Sequence, residues 1–152
     1  TMIKYSKIAV GTDGSETSLA AVRAAASLAR LYEAKLVIMS AWHAASGPLL
    51  NSSHPDLASV AVSEEEAAEQ QLLKAKAAAE EEGVSDIELR KVAGVPAEAM
   101  IKEVQETGID LLVVGNKGIN TLTGRVFGNI PTEVVRNSSV NVMIVNTAEH
   151  GS

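Results

Sequence analysis

Residues 109–138 read IDLLVVGNKGINTLTGRVFGNIPTEVVRNS. An apolar run, Ile109 to Val114 with one Asp, stops at Gly115. Glycines follow at 118, 124 and 128, and then IPTEVVRNS opens with a proline near its start. The run has the length and apolarity of a buried strand. A proline in the first turn, where its missing N–H costs nothing, suits a short helix. The unit is therefore strand, glycine loop, helix, and the loop is either a slack connection or a backbone cradle.

The same alternation extends in both directions. Upstream, Asp86 to Val92 (DIELRKV) reads as a strand more polar than the rest, which suits a sheet edge. GVPAEAMIKEVQETG follows as a helix, with Pro96 in its first turn and Gly108 after its last. Downstream, Val140 to Asn146 (VNVMIVN) is a further apolar strand. Near the start, Lys7 to Thr12 (KIAVGT) reads as a buried strand, and Asp13-Gly14-Ser15 as a turn with Ser15 as N-cap. Glu16 to Tyr32 carries Leu19, Val22, Ala26 and Ala29 at helical spacing. Lys35 to Trp42 (KLVIMSAW) is the second strand.

The segment from His43 to Val62 reads as mostly irregular, and loops of that length are usually functional lids or disordered segments. Ser63 to Glu82 opens with SEEE, a capping-box pattern, and ends at Gly83. Strict strand–helix alternation with apolar strands predicts an α/β fold: one parallel sheet covered by helices on both faces. One domain, residues 2–148, accounts for the chain.

Composition narrows the function classes. There is no cysteine, which excludes thiol and disulfide chemistry and suits a reducing cytoplasm. The net charge of −6 argues against a nucleic-acid partner. No apolar window is long enough to span a membrane, and TMIKYSKIAVG lacks the apolar stretch of a secretory signal. A cytoplasmic location is expected.

One window departs from the acidic average. From Leu111 to Thr132 there is no Asp or Glu, while Lys117 and Arg125 are present. In open α/β sheets the ligand crevice lies at the carboxyl ends of the strands, at the topological switch point. Thr12-Asp13, Ala41-Trp42 and Gly115 onward all sit at such ends. Gly115 and Gly118 let the backbone approach an anion closely. The helix after Gly128 and Asn129 aims free N–H groups and its positive dipole end at the loop. Neither the G-x-x-x-x-G-K-[ST] pattern nor G-x-G-x-x-G is present.

The ordinary readings stand beside these. Asp13 suits a turn former or cap as well as a ligand contact. Arg125 suits solvent as well as phosphate. His43 and His54 lie in the irregular segment without an acidic cluster, Trp42 suits packing, and the Glu-rich helix is a solvated face. No nucleophile–base arrangement is visible, so no catalytic residue is assigned and an enzyme is not expected.

Taken together, these residues resemble the universal stress protein family. Gly115-x2-Gly118-x9-Gly128 is similar to its nucleotide-binding signature G-x2-G-x9-G-[S/T]. KIAVGTDGSETS resembles its first strand and turn, and VAGVPAEAMIKEV resembles its G-x-P-x-x-x-I segment. The resemblance implies a five-stranded Rossmann-like sheet in the order 3-2-1-4-5 and a homodimer through strand five, residues 140–146. It implies binding of ATP, AMP or cAMP, with Mg2+ alongside ATP. The nucleotide-binding residues implied are Gly11, Thr12, Asp13, Ala41, Val114, Gly115, Asn116, Lys117, Gly118, Gly128, Asn129 and Ile130. Asp13 would lie near the ribose and, with a triphosphate, the metal; the Ala41 backbone would meet the adenine edge. Asn129 departs from the signature's Ser or Thr, although its amide still donates. VVGNKG, T-x-x-GR-x-x-G and Pro131 also look like an actinobacterial branch associated with cAMP as well as ATP. The function implied is a sensor or sequestering protein in stress response. A dimeric interaction module without nucleotide and a weak ATPase are the alternatives.

Overall fold

The computed structural model describes residues 4–42, 55–94, 96–115 and 130–146, without the side chains of 55–63, 96–97 and 130–133. The strands are β1 (Lys7–Gly11), β2 (Lys35–Trp42), β3 (Ile87–Ala93), β4 (Leu111–Gly115) and β5 (Asn141–Val145). The helices between them are α1 (Glu16–Tyr32), α2 (Pro55–Glu81), α3 (Pro96–Thr107) and α4 (Ile130–Asn137). The five strands form one parallel sheet in the order β3-β2-β1-β4-β5. The fold class is the one the alternation predicts, the strand order is the one the family resemblance implies, and β3 is an edge.

Period-two alternation divides β1, β2 and β4 between two cores. Ile8, Val10, Leu36, Ile38, Leu111 and Val113 point to one face, where α1 and α2 lie. Ala9, Val37, Met39, Leu112 and Val114 point to the other, against Met100 and Val104 of α3 and Val134 of α4. The first face is notably alanine-rich on its helices: Ala21, Ala25, Ala26 and Ala29 of α1 and Ala68, Ala75, Ala78 and Ala79 of α2 are buried. Small side chains bring these helices close to the sheet, so the strand residues carry most of the apolar burial, about 1.5–3 kcal/mol for each Ile, Leu or Val.

Local signals set most boundaries. The Ser15 hydroxyl accepts from the Ser18 N–H and caps α1 as expected. Gly83 and Gly108 follow α2 and α3 at φ +94° and +74°. α1 ends without a glycine. Glu33 takes the left-handed conformation at φ 57°, its N–H reaches the Arg30 carbonyl, and the Ala34 N–H reaches that of Ala29 at 2.8 Å.

One expectation is corrected. α2 starts at Pro55, eight residues before Ser63, so the segment 43–62 is not irregular throughout. Ser63 lies inside the helix, so its SEEE pattern does not mark the helix start. Pro55 fills a first-turn position where proline is tolerated, and Leu57, Ala58, Val60 and Ala61 continue the helix without a breaker. Residues 43–54, including His43 and His54, lie outside the described residues.

Candidate functional site

The strand ladders locate an opening in the sheet. β1 stays paired with β2 to its end: Gly11 lies opposite Met39, and the Thr12 N–H donates to the Met39 carbonyl at 2.8 Å. Its pairing with β4 stops earlier, at Val10 opposite Val113. β4 continues along β5 instead, through Gly115 opposite Val145. Beyond Val10, no ladder joins β1 to β4 among the described residues. Here the chain also changes faces, since α1 follows β1 onto one side while the helix after β4 packs on the other. This is the topological switch point, and its walls are Gly11-Thr12-Asp13 and Val114-Gly115.

The β1–α1 turn is a closed set of hydrogen bonds. The Gly14 N–H donates to Thr12 Oγ1 at 3.0 Å, and the Ser15 N–H donates to Asp13 Oδ1 at 2.9 Å. The hydroxyls of Thr12 and Ser18 share a bond of 3.0 Å, and Ser18 Oγ donates to the Ser15 carbonyl. Asp13 is thus a turn former through Oδ1, while its Oδ2 has no partner among the described residues. That oxygen is an acceptor suited to a ligand hydroxyl.

Thr12, Ser18 and Ser40 are the buried polar residues of the described chain. All three sit beneath this turn, at the ends of β1 and β2 and the start of α1. Ser40 Oγ donates to Gln71 Oε1 of α2 at 2.6 Å. Gln71 also lies under Gly14: a Cβ there would stand 2.9 Å from Gln71 Cγ, and φ is +85°. Lys74, one turn along α2, donates from Nζ to the Gly14 carbonyl at 3.1 Å. Sequence reading missed Ser18, Ser40, Gln71 and Lys74. A serine inside the apolar run of β2, and a glutamine on the same stripe of α2 as Ala68 and Ala75, were the available signals.

The implied nucleotide residues divide as follows. Gly11, Thr12, Asp13, Val114 and Gly115 come together at the opening. Gly11 also has a packing task, since a Cβ there would meet Met100 Sδ of α3 at 2.7 Å. Thr12 spends its hydroxyl on the turn, and the Val114 side chain is buried in the second core. Ala41 is half-buried near the end of β2, opposite Val92 of β3. Ile130 is the first residue of α4. Asn116, Lys117, Gly118, Arg125, Gly128 and Asn129 lie outside the described residues. Among the described residues no group of three or more His, Asp or Glu is placed to hold a metal ion. Nor is any described helix long and apolar enough to cross a membrane.

A five-stranded parallel sheet that parts at its switch point, beside a strand-end aspartate turn, defines a Rossmann-like class of small α/β protein. Within that class, the chain belongs to the universal stress protein family, whose model matches residues 4–146. It is 35% identical over 154 residues to a universal stress protein of Mycobacterium tuberculosis strain H37Rv, covering 96% of this chain and 99% of the relative. It is also similar to the crystal structure of a universal stress protein in complex with cAMP, at 37% identity and a TM-score of 0.76 over 96% of this chain and 100% of that one. The fold matches a universal stress protein from Lactobacillus plantarum at a TM-score of 0.80 and 22% identity, covering 95% and 100% of the two chains.

Proposed function

We propose that this protein binds an adenine nucleotide, ATP or cAMP, at the opening between β1 and β4, and acts in stress response as a sensor or sequestering protein. The observation that carries the reading is the parted ladder, with Asp13 Oδ2 on one wall unpartnered among the described residues. The similarity to a universal stress protein in complex with cAMP supports the same ligand class. In this reading Asp13 accepts from a ribose hydroxyl, and the Ala41 backbone meets the adenine edge. Gly115, Asn116, Lys117, Gly118, Gly128, Asn129 and Ile130 surround the phosphates. A cyclic monophosphate carries one charge and needs no metal, which suits a window whose cations are Lys117 and Arg125. The protein is cytoplasmic in this reading, and β5 joins two copies.

Calorimetry with ATP, AMP and cAMP, each with and without magnesium, tests the proposal. Heat of binding with at least one nucleotide is expected, and none with all three overturns it. Magnesium-dependent binding of ATP alone would assign the metal to the triphosphate beside Asp13. Gly128→Leu is expected to fold and lose binding, because its side chain would fill the phosphate space.

A further inference from the structure

We propose that Gln71 and Lys74 of α2 are positioning residues of the nucleotide site, holding the Asp13–Gly14 turn in its binding shape from the side opposite the ligand. The inference rests on the nucleotide reading above. Its basis is the placement of polar groups in an otherwise apolar interface. The rest of the buried stripe of α2 is Ala68, Leu72, Ala75, Ala78 and Ala79. Gln71 interrupts it directly beneath the turn. Its amide oxygen is fixed by the buried Ser40 hydroxyl, and its Cγ lies 2.9 Å from where a Cβ on residue 14 would stand. Lys74 takes the Gly14 carbonyl from the same side. Gly14 is thereby held at both ends, its N–H by Thr12 and its carbonyl by Lys74.

The turn's orientation fixes where the Asp13 carboxylate points. Asp13 Oδ1 is tied to the Ser15 N–H, so a rotation of the peptide after Gly14 moves both oxygens together. In the native turn Oδ2 has no hydrogen-bond partner among the described residues. Lys74 reaches the turn from outside the opening, so its contribution is geometric. It differs from a phosphate contact in one measurable way: its loss weakens binding of a ligand that has no phosphate as much as one that does.

The test measures Kd for adenosine, cAMP and ATP on the wild type, Lys74→Ala, Lys74→Arg and Gln71→Ala. Lys74→Ala and Gln71→Ala are each expected to weaken all three ligands alike, by about threefold to tenfold, the range of one hydrogen bond. Lys74→Arg is expected to restore binding. A loss confined to cAMP and ATP makes Lys74 an electrostatic contact and overturns the positioning role, as does wild-type affinity in both alanine variants. The second measurement needs no ligand. Hydrogen exchange at the Gly14 and Ser15 amides is expected to quicken about threefold to tenfold in both alanine variants, while α3 amides stay unchanged. Unchanged exchange at 14 and 15 overturns the inference even where nucleotide binds. Faster exchange in a protein that binds no nucleotide removes the proposed function but leaves the hold of α2 on the turn standing.

Discussion

Gly11 carries a packing demand beside the role the family resemblance implies for it. The resemblance names it among the nucleotide-binding residues, two positions before Asp13. The structure gives it a second reason, since a Cβ there would stand 2.7 Å from Met100 Sδ. The clashing atom belongs to a flexible side chain, so the cost is repacking rather than backbone strain. Gly11→Ala is expected to lower stability by about 1 kcal/mol. In a Met100→Ala background, where the sulfur is gone, it is expected to cost nothing further. Denaturant titration of the two single variants and the double variant measures that coupling, and additive losses would remove Met100 from the account. Gly14 differs in kind: its φ of +85° is a backbone demand that repacking cannot relieve. Such demands are partly legible in a sequence, because Asp-Gly-Ser is turn chemistry whatever surrounds it. The Met100 contact was not legible, because it depends on how closely α3 crosses the strand end.

At the scale of elements, strands and caps read well where local chemistry decides and poorly where neighbours do. β2 and α1 have the bounds their apolar pattern predicts, and Pro96 and Gly108 frame α3. α2 did not read well, because its SEEE segment mimics a start while the helix begins at Pro55. The end of α1 at Tyr32 read correctly, but its cap did not: the left-handed residue is Glu33, with no glycine to announce it. Glu33→Gly removes a Cβ penalty of about 1 kcal/mol at an exposed position and is expected to raise the melting temperature by a few degrees. An unchanged or lower value would mean that the Glu33 side chain earns its place through contacts. The β3 edge yields a pH prediction. Arg90, hydrogen-bonded to Glu88 and paired with Glu103 of α3, holds the Glu88 carboxyl below the usual glutamate value, and Lys7 and Lys35 add to the effect. A carboxylate depressed in the folded state contributes stability above its unfolded pKa and loses it as pH falls through the folded value. Glu88→Gln is therefore expected to lower the melting temperature most at neutral pH, with the deficit closing below pH 4.5, the ordinary glutamate value. A deficit constant from neutral to acid pH would show that packing, not charge, is responsible.

For the whole molecule, the two edges of the sheet are treated differently. β3 carries Glu88, Arg90 and Lys91, and Lys91 reaches Glu65 and Glu69 of α2, so charges and a helix guard that edge. β5 has no such guard among its described contacts. Its register sets Met143 beside Val113 and Ile144 beside Val114, so each faces a different side of the sheet. Both remain exposed, at 38% and 48%, where their neighbours on β4 are buried. A strand with apolar side chains uncovered on both faces and an open ladder edge is suited to pairing with a second copy. The opening between β1 and β4 lies one strand away, and Gly115 on its wall is itself held by Val145 of β5. A homodimer through β5 would brace that wall. Sedimentation at micromolar concentration is expected to give twice the chain mass for the wild type. Met143→Lys with Ile144→Lys is expected to give a single chain mass with an unchanged helical signal, because neither side chain supports the core of the monomer. The same double variant is expected to bind nucleotide more weakly, since β5 no longer has a partner to steady it. A wild type that sediments as one chain at that concentration removes β5 as the dimer surface, and a double variant that still dimerises moves the contact elsewhere.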